Sequence, residues 1–469
     1  MTQLTRSSLT ARSKTIRVVF ISLLLDLLSF TLILPLLPRL LDHYRVQEGS
    51  GSHSLLGWTL QRANDFRLAL GAGDTYRGRA VDVVLLGGAL GSLFSLLQYL
   101  VSPTIGRLAD RHGRRRILLL SMLGNILSCA TWMVAQSFHL FLLARVIGGL
   151  SEGNVQLSMA IITDVTDSAS RSRSMAMVGI AFAVAFTTGP ALGAYMASID
   201  LRDVFPWMVE WGLNPYSAPA MASLFLVCIE ALYLYLYLPE TLPAKSPQHK
   251  SKRAQRRRRS LSHFITLRRI HVAYFTFLLL FSGMEFTLTF LTFDTHGFTH
   301  GQQGALLCYM GILSALLQGG YVRRVVGKKV GERSLALQGI CSCALGLLTL
   351  ALSASPSLGG PRWLWVGVTG VSIASATVVN SLNSLASASA SLSPTEEPSL
   401  HERDGGTGEI LGKIRSTGQL GRAFGPLLAC GLYWWLGPMV CYTLGACMMI
   451  LVGRYVYQYL PKRVDLKHQ

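Results

Sequence analysis

Charge is scarce in this chain, and acid is scarcer than base. Only 14% of the 469 residues are charged, where a soluble domain carries about a quarter. Asp and Glu number 24 against 43 Lys and Arg, a net charge of +19. Long polar linkers between soluble domains are missing too. In their place stand apolar runs near 20 residues long, each sufficient to cross a hydrocarbon core about 30 Å thick. Disorder, collagen and small disulfide scaffolds are excluded on the same grounds. Cysteine is sparse and all eight lie inside apolar runs without metal-ligand spacing, so they read as small buried hydrophobes.

Other absences narrow the function. No Gly-x4-Gly-Lys-Ser/Thr phosphate loop is present, which argues against ATP-driven pumping. There is no nucleophile–base set, no metal-ligand cluster and no His-rich helix, so no enzyme chemistry, metal or cofactor is expected. No Asn-x-Ser/Thr sequon occurs, so outer loops offer no standard N-glycan site. The first apolar run follows Arg12, Lys14 and Arg17 but is too long for a signal-peptide core. It reads as a first transmembrane helix.

What is present is a series of twelve spans: 17–41, 81–104, 116–136, 139–162, 174–197, 217–238, 270–293, 303–322, 334–354, 362–388, 410–436 and 438–460. Backbone satisfaction in lipid makes each a helix. The expected fold is an all-α multi-pass membrane protein with twelve transmembrane helices in two six-helix bundles. Basic residues set the orientation. They crowd the N-terminus and the loops after spans two, four, six and eight, whereas the opposite side holds only scattered arginines such as Arg39, Arg45 and Arg202. Both termini are therefore expected in the cytosol. The net charge is then largely topology, and no nucleic-acid partner is needed. The chain divides into an N-terminus 1–16, a bundle 17–238, a basic linker 239–269, a second bundle 270–460 and a tail 461–469. The linker core, Lys250 to Arg259, reads as a solvated segment near anionic headgroups or, more sharply, as an import-like signal.

The loop after span two reads Gly106-Arg107-Leu108-Ala109-Asp110-Arg111-His112-Gly113-Arg114-Arg115-Arg116. The glycines permit a tight turn and close helix contact. Asp110 is expected to cap the next helix and to pair with a basic residue of the opposing bundle, latching the cytosolic side. Span one carries Asp26 nine residues before Pro35, then Pro38. Span four has Arg145-Val146-Ile147-Gly148-Gly149, and span five has Gly189-Pro190-Ala191-Leu192-Gly193. A Gly-Pro pair of that kind makes a thin, bendable helix. In the second half, span eleven has Gly418, Gly421 and Gly425-Pro426, while the loop from Arg323 to Arg333 keeps basic residues but has no counterpart of the acid Asp110.

These motifs resemble the signature loop of the major facilitator superfamily (G-x-L-A-D-R-x-G-R-R) and, within it, patterns of the tetracycline-efflux and related drug–proton antiporters. The strings Leu24-Leu25-Asp26-Leu27-Leu28 and Phe281-Ser282-Gly283-Met284-Glu285 resemble its tetracycline-transporter-like branch. The resemblance implies alternating access, exchange against protons and an organic-anion or drug substrate, with a monomer in a lipid bilayer. It assigns gating to Gly106, Asp110, Arg111, Gly113, Arg114, Arg115, Gly189, Pro190, Gly425 and Pro426.

Ionisable residues inside spans are functional candidates by default. Asp26 lies about 14 Å above the cytosolic edge, Glu285 and Arg422 about 20 Å, and Arg145 about 9 Å below the outer edge. They are expected to converge on one central cavity. Asp26, Glu152 and Glu285 are the candidate proton carriers, since no histidine lies mid-span. Arg145, Arg422, Asp26, Asn154 and Gln156 are the candidate substrate contacts. Plainer roles stand beside these: an Asp26–Arg145 ion pair, a Glu285–Arg422 pair, a snorkelling Arg415 and a lipid-interface helix around Glu230. Cationic drugs or other small metabolites remain an alternative cargo. A non-transporting receptor, scaffold or accessory subunit on the same fold is the other class.

Overall fold

The computed structural model describes residues 2–33, 37–48, 54–69, 79–204, 206–211, 213–214, 216–242, 253–322, 324, 330–355, 360–390 and 406–461. The described residues are almost entirely helical. The first half holds α1 (Thr2–Thr31), α2 (Leu37–Glu48), α3 (Leu55–Ala69), α4 (Arg79–His112), α5 (Arg114–Met133), α6 (Phe138–Ser151), α7 (Asn154–Val165), α8 (Ser168–Met196), the short α9 (Leu201–Val204) and α10 (Ser217–Tyr237). The second holds α11 (Arg253–Phe290), α12 (His300–Leu316), α13 (Glu332–Ser353), α14 (Pro361–Ala390), α15 (Thr407–Leu436) and α16 (Pro438–Tyr459). π-type turns at Leu291–Thr295 and Leu317–Val322 extend α11 and α12.

Among the described residues, nine helices are long and apolar enough to cross a membrane. The described residues of the runs 17–41, 139–162 and 410–436 fall on α1 and α2, on α6 and α7, and on α15, none of which meets that description. On the helix of the first, Lys14, Arg17 and Asp26 occupy the last eighteen residues of α1. The second is broken into α6 and α7 at Glu152–Gly153, where Glu152 is extended (φ −69°, ψ 93°). Gly153 is needed there, because a Cβ would sit 2.6 Å from the Ser121 Oγ. The third carries Lys413, Arg415 and Arg422 among glycines. Large apolar side chains stand exposed at helical spacing, for example Leu120, Leu123 and Leu127 on α5, which is the outer face a lipid-immersed helix needs.

Three further expectations change. The stretch 239–269, read as a linker, is helical from Arg253 onward and continuous with the seventh span; from Arg253 to Arg269 it has no Gly or Pro, so nothing interrupts the helix. Residues 42–80, expected to be the longest loop on the outer side, contribute to α2 and α3, with the Tyr44 hydroxyl donating to the Ala135 carbonyl at 2.8 Å. Cys228, Cys341 and Cys447 are exposed rather than buried. Pro35, Lys250–Lys252, residues 391–405 and most of 323–329 lie outside the described residues.

Packing within each half dominates: α1 lies against α8 and α10, α5 against α6 and α10, α13 against α14 and α16, and α11 against α15. The halves meet where α4 lies along α15 and where α8 meets α12 and α14. The helix ends on one side of the molecule repeat between halves. Arg115, second in α5, donates to the Tyr235 carbonyl two residues before the end of α10 and lies 5.5 Å over its ring. Arg333, second in α13, does the same to Tyr457 two residues before the end of α16, at 5.4 Å.

Candidate functional site

The first locus is a polar pocket inside the first half. Asp26 of α1 is 5% exposed and accepts from Asn125 Nδ2 at 3.4 Å. The break after α6 brings Glu152 to the same wall, and Arg145, two turns earlier on α6, faces it with Phe94 and Trp132. Arg145 lies between the rings of Trp132 and Phe141, 5.6 Å from each. Cation–π attraction of that kind holds a guanidinium without neutralising it. Among the described residues no carboxylate comes within 4.0 Å of Arg145, so the plainer alternative, an Asp26–Arg145 ion pair, is not formed. Its Nε is buried without a partner. The pocket's volume is about 40 Å³, room for water rather than for a drug-sized molecule, which takes about 300–1,000 Å³.

Convergence is partial. Asp26, Arg145 and Glu152 share the pocket wall, while Glu285 and Arg422 do not reach it; they stand exposed on α11 and α15 and form no ion pair with each other. Asn154 and Gln156 are buried and do not line the pocket, although Asn154 neighbours Asp26. Asn154 Nδ2 approaches Met122 Sδ at 3.8 Å, and Gln156 Nε2 donates to the Ser102 carbonyl at 3.1 Å.

The second locus is the contact between halves, and its centre is a residue the sequence reading passed over. Pro103 lies inside α4 and has no N–H for the Tyr99 carbonyl one turn earlier. Ser416 of α15 supplies the missing donor, its Oγ 2.7 Å from that carbonyl. Arg415, expected to snorkel, reaches across to Gln98 Oε1 at 3.3 Å instead. It is drawn there because Gly412 lets α15 approach the Ser102 carbonyl to where a Cβ would be 2.5 Å away. A proline within a span followed by the basic loop was the readable signal for this contact.

Toward the loop, Asp110 accepts from the backbone N–H groups of Gly408 at 2.9 Å and Glu409 at 2.7 Å. Its partner across the halves is thus the N-terminus of α15, with its orphan donors and positive dipole end, and not a basic side chain. Within its own half Asp110 pairs with Arg114 at 2.7 Å, and Arg114 also pairs with Asp164 at 2.9 Å. At 1% exposure Arg114 needs both. Asp110 does not cap α5. Gly113 (φ 103°) turns the chain so that Glu240 accepts from the Arg114 and Arg115 amides at 2.9 and 3.2 Å. A Cβ on Gly106 would overlap the Gly408 carbonyl oxygen, so the glycine sets the separation of α4 and α15. Arg111 is exposed.

The Gly-Pro elements pack rather than bend in this state. α8 runs unbroken through Pro190, and Gly189 admits Thr31 at the end of α1, whose Oγ1 donates to the Ala185 carbonyl at 3.1 Å. Gly425, beside Pro426, fits against α11 at Gly283.

Comparison with known proteins follows this geometry. The sequence profile of the Major Facilitator Superfamily matches residues 19–426. Mouse major facilitator superfamily domain-containing protein 10 is 35% identical over 460 residues, covering 93% of this chain and 91% of that protein. The class C tetracycline resistance protein of Escherichia coli is 26% identical over 275 residues, 57% of this chain and 64% of that protein. The crystal structure of the human organic anion transporter MFSD10 superposes with a TM-score of 0.76 at 32% identity, covering 95% of this chain and 99% of that one. A buried polar pocket, a glycine-set contact between two helical halves and these likenesses agree: the chain belongs to the major facilitator superfamily of integral, multi-pass membrane transporters.

Proposed function

We propose that the chain exchanges amphipathic organic ions, organic anions first, for protons by alternating access. The observation that carries this reading is Arg145. It is a cation held by two aromatic rings with no carboxylate partner among the described residues, on the wall that also bears Asp26 and Glu152. Arg145 would take the anionic group of a substrate by paired N–H contacts, with Phe30, Phe94 and Trp132 receiving its apolar body. Asp26 would carry the proton. Loading a proton on Asp26 would favour one facing and an anion on Arg145 the other, since a ligand shifts a conformational balance only through its differential affinity for the two states.

In the same reading, twelve spans form two bundles, 17–238 and 270–460, that rock about the pocket, with both termini in the cytosol. Asp110 on the N-terminus of α15 holds the cytosolic side closed. The water-sized pocket then belongs to the closed form, and release of that contact widens it. The relatives named above support the cargo class: one is named an organic anion transporter and another a tetracycline resistance protein.

The test is the purified protein in liposomes with a pH-sensitive dye inside, challenged with gradients of benzylpenicillin, other amphipathic anions, cations and neutral drugs. Anion-driven proton flux that Asp26→Asn abolishes is expected. Flux equal to empty liposomes for every compound would overturn the transporter reading, and flux driven by cations alone would reverse the substrate sign.

A further inference from the structure

One buried acid has no part in the scheme above. Glu230 of α10 is 0% exposed, and its Oε1 accepts from the Ser22 hydroxyl of α1 at 2.7 Å. Its Oε2 is buried without a partner. Ser22 lies four residues before Asp26, so the two side chains share one face of α1 about 6 Å apart along the axis. The same face carries Ser29, which exchanges two hydrogen bonds with Ser223 of α10, Oγ to carbonyl in each direction, at 2.9 and 3.2 Å. The α1–α10 seam is thus polar along its length, with Asp26 between a hydroxyl pair and a second carboxyl.

The fold does not need that carboxyl. Glu230 stands seven residues before the end of α10 at Tyr237, and the same position counted from the end of α16 at Tyr459 is Val452, buried and apolar. The charged neighbours do not account for it either. Among the helices packed on α10, α5 has no acidic or basic side chain after Arg116 and α8 none after Arg173. No cation lies within 4.0 Å of Glu230 among the described residues. A wholly buried carboxylate without a cation is costly, so the seam favours a group that holds a proton.

We propose that Glu230 is a second proton site, one turn nearer the cytosol than Asp26, through which the proton of Asp26 passes. The inference rests on the proton-exchange reading of the pocket. In the step, the O–H bond of the Asp26 carboxylic acid breaks, the Ser22 hydroxyl takes that proton and gives its own to Glu230, and an O–H bond forms on the Glu230 carboxylate. One proton moves and nothing is oxidised or reduced. Glu230 later releases it toward the cytosolic ends of α1 and α10.

The test uses the full chain in liposomes, with benzylpenicillin as the anion and a trapped pH-sensitive dye. Glu230→Gln keeps the shape and the bond from Ser22 but cannot carry a proton. Anion-driven proton flux is expected to fall about 100-fold, while exchange of labelled for unlabelled benzylpenicillin stays at the wild-type rate. Glu230→Asp recovers proton flux, and the infrared carboxyl band that answers a pH jump in the wild type is missing from Glu230→Gln. Proton flux in Glu230→Gln equal to wild type, while Asp26→Asn abolishes it, overturns the Glu230 assignment alone. Loss of self-exchange together with proton flux makes Glu230 a packing residue and overturns it too. Benzylpenicillin movement without protons in the wild type overturns both readings.

Discussion

The two halves share a scaffold and differ in chemistry. Arg115 against Tyr235 and Arg333 against Tyr457 occupy matching places in the first and last helices of their contacts. The tyrosine pairs beside them match as well, with Tyr233–Tyr237 and Tyr455–Tyr459 ring centroids 5.1 and 5.0 Å apart. Yet the first half encloses Asp26, Arg145, Glu152 and Glu230, whereas Glu285 and Arg422 of the second stand exposed. The first half also supplies Asp110, and the second supplies only the backbone N-terminus that receives it. A repeated fold therefore fixes how helices end and pack, while the buried acids and the cation without a carboxylate partner sit on one side of the repeat. This division is expected where one half binds the proton and both halves must move.

That asymmetry can be broken in graded steps. The largest effect is expected from Asp26→Asn, with anion-driven proton flux down about 100-fold or more in dye-loaded liposomes; an equal loss from Glu285→Gln would return the second half to parity. Next is Arg145→Gln, which removes the unpaired cation and is expected to raise the anion KM about tenfold to a hundredfold. Arg422→Gln should raise it by less, and uptake titrations of the two variants compare the halves directly. Asp110→Asn keeps an acceptor but removes charge from the α15 N-terminus, worth about 0.3–1 kcal/mol. It should increase labelling of a cysteine introduced on the cytosolic side by about two- to fivefold. The smallest effects are expected from Arg115→Ala and Arg333→Ala. Each should lower thermal stability equally and by about 1 kcal/mol or less, read from melting curves of the purified protein.

Much of the architecture was legible along the chain. Apolar run length gives the spans, and the loop Gly106–Arg116 carries the glycines and acid that later prove to join the halves. Asp26 was legible because a carboxylate inside an apolar run needs a reason. The break at Glu152–Gly153 was not read, although Ser151, Glu152, Gly153 and Asn154 interrupt the apolar run; what places it is the close approach of Ser121 and Ile105 to Gly153. Pro103 was visible, but its consequence depended on a donor from Ser416, far along the chain. Depth estimates placed Glu285 and Arg422 level with the pocket yet carried no information about which way their helices face.

The sequence by itself determined that the chain lives in a membrane, which loops are basic, and which residue types stand where charge is expensive. These properties are sums over local segments, set by transfer of side chains from water to hydrocarbon. Only the tertiary structure decided which of those charges meet. Asp110 finds its partner 298 residues away, Glu230 finds Ser22 208 residues away, and Arg145 is left without a carboxylate although Asp26 and Glu152 share its pocket. Such pairings follow from the rotation and approach of whole helices, which glycine contacts fix to within an ångström and which no local pattern encodes.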